Sequence, residues 1–389
     1  MLSSAKRQII LVGYGLFVAI GWVGVLVPTL ILSVEHFYHQ SDASLGLFYA
    51  ATALSGAIGS FSCGLATERF GRRIVTPAVS LLLGLGLIGQ ALAPGWLWFF
   101  TAAVVANVGA GALDGDINGL FLDIHADGRT GGALNLLHLF FSAGAAGGAL
   151  LLGSLVNWGT PWQALIGCTG LVVIALAIVA AVLPLPSGKR KVQEPTGPEL
   201  AINPTERSLI PFIGLTIAIC VYVGAELGVT SWVVRYVAQS NVRIGALALS
   251  TFWGGITLGR LLSSRVVDNF NPAKFTIGCF LISSVALAGA VLSNLHPLLA
   301  LLLYGLTGCF YGPIFPMIMV IGGKIYPHRL AVLSGSLSAA AAVGAIVYPG
   351  LMGFISVHYG LAIGMIGAAL LGLFGAASLF GVAVFRRVR

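Results

Sequence analysis

The chain has 389 residues, of which 58% are hydrophobic and only 8% charged, where a soluble domain carries about 25% charged side chains. Twenty Lys and Arg with twelve Asp and Glu cannot cover a water-soluble globule of this length, so a soluble fold is excluded and lipid is the expected solvent. A formal net charge of +8 would suit nucleic acid in a soluble protein. In a membrane protein a basic excess marks cytoplasmic loops, and no nucleic-acid partner is expected.

A spanning helix takes about 20 apolar residues. In chain order, apolar runs cover 8–34, 43–66, 74–92, 96–122, 132–156 and 162–184, then 209–238, 244–266, 274–293, 297–321, 330–355 and 360–384. Backbone polar groups in lipid must bond internally, so each run is predicted to be a helix. The first continues past residue 30 without a small-residue cleavage pattern and reads as a span rather than a cleaved leader. Between the sixth and seventh runs, residues 186–208 hold Lys189, Arg190, Lys191, Glu194 and four prolines, a linker composition. The predicted organisation is an all-α integral membrane protein of twelve transmembrane helices. They form two pseudo-symmetric six-helix halves, 1–185 and 209–389, joined by a cytoplasmic linker over 186–208.

Counted between the runs, 18 of the 20 Lys and Arg fall on one side, and only Arg235 and Arg243 on the other. The positive-inside rule then puts both termini and the linker in the cytoplasm, and a multi-pass protein of the cytoplasmic membrane, monomeric, is expected. Cys63, Cys168, Cys220, Cys279 and Cys309 stand singly in apolar runs, without ligand-like spacing; they read as packing residues, and no metal or cofactor is expected. At an offset of 200, Gly59-x4-Gly64-x3-Glu68-Arg69 faces Gly259-x4-Ser264-x3-Asp268-Asn269. Glycine coincidences at this offset do not exceed chance; the matched helix count and the matched acidic turn suggest parallel repeats, with a substrate site near the midplane.

The stretch Gly64-Leu65-Ala66-Thr67-Glu68-Arg69-Phe70-Gly71-Arg72-Arg73 resembles the helix 2 to 3 motif of the major facilitator superfamily, G-x-x-x-D-R-x-G-R-R, with Glu68 in place of Asp. The resemblance implies a conformational gate of Gly64, Glu68, Arg69, Gly71 and Arg72, in which an acid at a helix end pairs with the other half and lets go as the halves rock apart. Four further stretches resemble the fucose permease group of sugar:proton symporters. They are Asp114-Gly-Asp116-Ile-Asn118 with the glycines before it, Asn135-Leu-Leu-His138 with Phe140-Phe141-Ser142, Tyr222-Val-Gly224-Ala-Glu226-Leu-Gly228, and Tyr311-Gly312-Pro313-Ile314-Phe315-Pro316. This likeness implies the twelve-helix fold, and it puts Asp114 and Asn118 at the group's helix 4 positions. Fucose permease also has an acid in helix 1, whereas residues 21–32 here contain none; Glu226, opposite Leu26 in the repeat, offers a second titratable group.

The residues themselves support intramembrane chemistry, since a charge in the bilayer interior is costly and marks function by default. Asp114, Asp116, His138 and Glu226 are the proton-coupling candidates. Asp114 and Asn118 share a face at i, i+4, extended by Asn107 and Gly111, and Asn135, His138 and Ser142 line a face of helix 5. Asp116 points about 160° away from Asp114, so Asp114 is favoured, tuned by His138 brought to similar depth on the next antiparallel helix. Glu226 lies between Gly224 and Gly228, where glycine permits a local break of helix 7 and close approach of substrate to the backbone. Tyr222, Trp232, Trp253 and Tyr311 offer aromatic faces to sugar rings beside the polar groups. Trp232 and Tyr236 read equally well as interfacial anchors.

The function expected is alternating-access uptake of a small neutral polar solute, a sugar, with protons. The alternative is proton-antiport export of drugs or lipophilic compounds, against which helix 5 lacks a Gly-Pro pair. A membrane enzyme would need a nucleophile, metal cluster or acid/base pair, and only Asp123, His125 and Asp127 resemble one; an enzyme is not expected.

Overall fold

The computed structural model describes residues 4–125, 130–185, 208–239, 244–293, 296–327 and 330–388. The predicted linker up to residue 207 lies outside the described residues, as do Asp127, Arg129 and Arg243. Among the described residues all regular structure is helical: α1 (Ser4–Tyr38), α2 (Asp42–Phe70), α3 (Arg72–Ala91), α4 (Trp96–Ile124), α5 (Thr130–Asn157) and α6 (Trp162–Val182), then α7 (Leu209–Ala238), α8 (Gly245–Val266), α9 (Pro272–Leu292), α10 (Pro297–Tyr311), α11 (Ile314–Ile325), α12 (Leu330–Tyr359) and α13 (Leu361–Val388). Eleven spans are long and apolar enough to cross a membrane, α10 and α11 forming one of them, Pro297–Ile325. The remaining helix, α8, is diluted by glycines, serines, Arg260 and Arg265. Large apolar side chains such as Phe61 and Leu292 stand about four-fifths exposed on the helix surfaces, as lipid-facing positions do.

Local chemistry sets the helix ends. Gly71 turns α2 into α3 with φ 80°, a left-handed value that only glycine adopts without penalty, and its N–H closes the last turn of α2 on the Thr67 carbonyl at 2.9 Å. Asn271 caps α9 by accepting from the N–H groups of Ala273 and Lys274 at 3.1 and 3.2 Å, with Pro272 at the first helical position, where its missing donor costs nothing.

The helix break lies elsewhere than at the α7 glycines. The α7 helix runs unbroken for 30 residues; the interruption falls between α10 and α11, at Gly312-Pro313. Gly224 and Gly228 instead make room for Tyr348 of α12, whose Cβ and Cδ1 would lie 3.1 and 2.7 Å from added side-chain carbons there.

The described residues form two compact units. One holds α1, α2 from Ala51 onward and α3 to α6; the other holds the start of α2, Asp42–Ala50, with α7 to α13. Three glycine-mediated crossings recur in each unit. In the first, Gly144 of α5 presses on the Val18 backbone of α1, Gly59 of α2 on Val108 of α4, and Gly84 of α3 on Gly170 of α6. In the second, Gly344 of α12 presses on the Cys220 backbone of α7, Gly259 of α8 on Cys309 of α10, and Gly372 of α13 on Ser284 of α9. These pairs recur near the 200-residue offset. Between helices in lipid there is little hydrophobic drive, so association rests on close backbone approach at small residues.

Candidate functional site

In the first unit, α2, α3 and α4 converge at the Gly71 turn above a small apolar cluster of Cys63, Val75 and Ala112. Asp116, 3% exposed, accepts from the Thr67 hydroxyl and from Arg72 Nε, each at 3.2 Å, and from the Thr76 hydroxyl. Arg72 also donates through Nη1 to Asp123. Its guanidinium fills the space beside Gly119, where a Cβ would come 2.8 Å from Nη2. A cleft of about 200 Å³ opens there, lined by Ser60, Gly64, Glu68, Arg72, Asp116 and Asp123 among others. The structure thus places Asp116 with the expected gate residues rather than beside Asp114. Glu68 and Arg69 are exposed, Arg69 standing over the Phe70 ring at 5.4 Å, and nothing within 4 Å would meet a Cβ at Gly64.

Half-buried Asp114 and Asn118 share α4, and Asn118 Nδ2 donates to the Asp114 carbonyl at 2.9 Å. Asn107 does the same with Ala103 at 2.9 Å. Each amide keeps its oxygen and a second N–H for other partners. Gly111 belongs to helix packing rather than to a cavity wall, because a Cβ there would strike Gly56 of α2. On α5, Asn135 is exposed and His138 stands edge-on to Phe17 of α1 at 5.5 Å. Ser142 departs from the expected polar face: it is fully buried and its hydroxyl is spent on the His138 and Leu139 carbonyls of its own helix, at 3.2 and 3.1 Å. The long neighbour of α5 is α1; α4 and α5 meet only over a short stretch.

In the second unit, Glu226 sits mid-way along α7, 8% exposed. One turn earlier, buried Tyr222 faces it, with its ring 5.4 Å from Tyr311 at the end of α10 and 6.4 Å from Phe280. Phe252 closes on Tyr311 at 5.8 Å beside buried Trp253. Arg260 of α8 lies within electrostatic range of Glu226 and Tyr222. Counted from sequence among the basic residues flanking the turn after the eighth run, Arg260 lies more than a turn inside α8; its position near a helix end hid this. Glu226, Tyr222, Trp253 and Tyr311 therefore belong to one unit, whereas Trp232 leaves the expected set. Trp232 is fully buried, donates to the Pro349 carbonyl at 2.9 Å and packs on Tyr49 at 5.6 Å, so it is neither a free platform nor an interfacial anchor. Tyr236 is likewise interior, donating to the Val291 carbonyl at 2.9 Å. Arg235 pairs with Asp42, Nε to Oδ1 at 2.6 Å, while the Ser356 hydroxyl donates to the other oxygen. Among the described residues no group of three or more His, Cys, Asp or Glu side chains is placed to hold a metal ion.

A family model described as Major Facilitator Superfamily matches residues 11–248. The glucose/mannose transporter GlcP of Bacillus subtilis is 22% identical over a match covering 90% of this chain and 88% of that protein. A candidate glucose/galactose transporter of Helicobacter pylori is 27% identical, over 45% of this chain and 42% of its own, less than half of that relative's length. Among solved structures, the inward-facing, unoccupied bacterial homologue of the human lysosomal transporter Spinster superposes with a TM-score of 0.81 at 14% identity, covering 100% of this chain and 99% of that one. The fold is therefore that of a multi-pass membrane transporter, and the relatives are transporters rather than enzymes.

Proposed function

The chain belongs to the Major Facilitator Superfamily, and from that premise we propose that it is a secondary active transporter of the cytoplasmic membrane, taking up a sugar with a proton by alternating access. The observation that carries the coupling is Asp114, a carboxylate inside the span Trp96–Ile124 with Asn118 bonded one turn along. A carboxylate there is costly unless it exchanges protons or binds a ligand. Sugar as substrate is supported by the two sugar-transporter relatives, and by amides and aromatic rings suited to hydroxyls and C–H faces. Protonation of Asp114 from outside neutralises the loaded carrier so that it reorients, and His138 tunes the proton's release. The protein works as a monomer, with both termini and the linker in the cytoplasm.

The test is transport in proteoliposomes, with the ligand first chosen from a panel of sugars by thermal stabilisation, because a ligand of the native state raises stability by RT ln(1 + [L]/Kd). Asp114→Asn is expected to abolish accumulation driven by a pH gradient while leaving counterflow exchange of the same sugar. Full accumulation in that variant removes Asp114 from the coupling role.

A further inference from the structure

In the second unit α13 closes on both of its neighbours. A Cβ on Gly214 of α7 would come 2.4 Å from Val382 Cγ2 of α13, the Ser378 hydroxyl donates to the Gly214 carbonyl at 2.7 Å, and the Tyr348 hydroxyl of α12 donates to the Gly364 carbonyl of α13 at 2.6 Å. In the first unit the matching seam of α1, α5 and α6 is open. The residue 200 positions before Tyr348 is Gly148, which offers no ring, and a Cβ on Gly15 of α1 would meet nothing within 4 Å. The α6 helix is held instead by α3, through Gly84 and Gly170, and α5 and α6 make no extended contact. A groove of about 410 Å³ results, with Gly15 and Trp22 of α1, Leu151 of α5, and Leu165, Val172 and Leu176 of α6 in its lining. Close-packed interiors hold few voids larger than a water molecule. From Leu165 to Leu176, at 1.5 Å of rise per residue, the groove runs about 16 Å, close to half of the roughly 30 Å hydrocarbon core. It opens onto the lipid-facing surface: Val172 is 58% and Leu151 48% exposed, and Cys168, one turn before Val172, is exposed as well. Trp22 Nε1 donates to Thr169 Oγ1 at 3.2 Å, and that hydroxyl donates to the Leu165 carbonyl at 2.8 Å.

Whatever the protein transports, we propose that this groove holds one acyl chain of a membrane phospholipid, which ties α6 to α1 and α5 where the second unit uses direct contact. The groove is continuous with the lipid-facing surface, its length is that of a single leaflet, and Trp22 and Thr169 satisfy each other, so an occupant needs no polar group. A polar solute would leave its own hydrogen bonds unmade there. A chain in bulk lipid touches a smooth helix surface from one side only. In the groove three helices surround it, and the added van der Waals contacts, small singly and large together, hold it in place.

The experiment titrates delipidated, detergent-solubilised protein with phosphatidylglycerol carrying brominated acyl chains and reads tryptophan fluorescence, which bromine quenches on contact. The parent is expected to show one saturable quenching step at one lipid per protein, and Trp22→Phe to lose it. Gly15→Phe, which fills the groove from α1, should abolish the step while still melting cooperatively. Val172→Phe, which narrows the mouth at an exposed position, should do the same and serves if Gly15→Phe does not fold. Val179→Phe, exposed on α6 but outside the lining, should keep the step. Quenching that rises without saturation in the parent, or a step that persists in the folded filling variants, overturns the proposal and leaves only exchanging bulk lipid. A parent that runs as a dimer, and as a monomer once Val172→Phe is made, also overturns it by giving the groove to a second copy.

Discussion

Arg72 is 5% exposed and is held by two carboxylates, Asp116 and Asp123. Removing one partner from a buried ion pair costs about 3–5 kcal/mol, because the remaining charge keeps its desolvation penalty, while replacing both by apolar groups of similar size is nearly neutral. Asp116→Ala is therefore expected to lower the melting temperature of the purified protein clearly, and Arg72→Met added to it to recover most of the loss. Glu68→Gln, at an exposed position, leaves stability within about 0.5 kcal/mol. A double variant less stable than Asp116→Ala alone would show that Arg72 stabilises through contacts other than the ion pair. That Asp116 matters was legible from the cost of a charge within a span. Its role was not, because Thr67, Arg72 and Thr76 come from 40 to 49 residues away in sequence. The same limit applied to Arg260: a basic residue near a helix end reads as a topology signal until the neighbouring helices are in place.

At the scale of elements, the helices were legible because lipid leaves the backbone no alternative, and an apolar run of about 20 residues is already a helix. The break that the α7 glycines permit does not form there, for a physical reason. Glycine costs about 1 kcal/mol of helix propensity, too little to open a helix whose unpaired backbone groups would each cost several kcal/mol in lipid. Proline removes the donor itself, yet Pro28, Pro77 and Pro349 lie inside continuous helices. What sets Pro313 apart is Pro316 three residues on, beside the permissive Gly312; two donors are lost within one turn. Glycines in these helices serve instead as crossing points, which predicts matched sensitivity in the two units. Gly144→Val and Gly344→Val put a branched side chain against the Val18 and Cys220 backbones, and overpacking of this kind costs typically about 1–3 kcal/mol. Both should melt earlier than the parent, whereas Gly147→Val, with no atom within 4 Å, should melt with it. A silent Gly344→Val would mean that α7 and α12 separate without loss.

At the scale of the whole molecule, orientation rests on charge. Cytoplasmic loops carry the basic excess, and with Arg260 set inside α8, 17 of the 20 Lys and Arg fall on one side. Arg235, on the other side, does not weaken the split: its guanidinium lies 2.6 Å from Asp42, so that side gains no net positive charge from it. The side holding the α2–α3 turn and the start of α9 should therefore be cytoplasmic. In a background with the five native cysteines replaced, Arg73→Cys and Lys274→Cys, both at exposed positions, are expected to escape an impermeant thiol reagent in intact cells and to react once the membrane is opened. Ala43→Cys and Trp158→Cys, also at exposed positions, should react in intact cells. Ala43 is preferable to its neighbour because Asp42 is bonded to both Arg235 and Ser356, and replacing it would disturb the end of α7 along with the label site. The opposite pattern inverts the orientation, and with it the side from which Asp114 receives its proton. Equal labelling of Arg73→Cys and Trp158→Cys in intact cells would put the α2–α3 and α5–α6 turns on one face, which α3, α4 and α5 as three full crossings forbid.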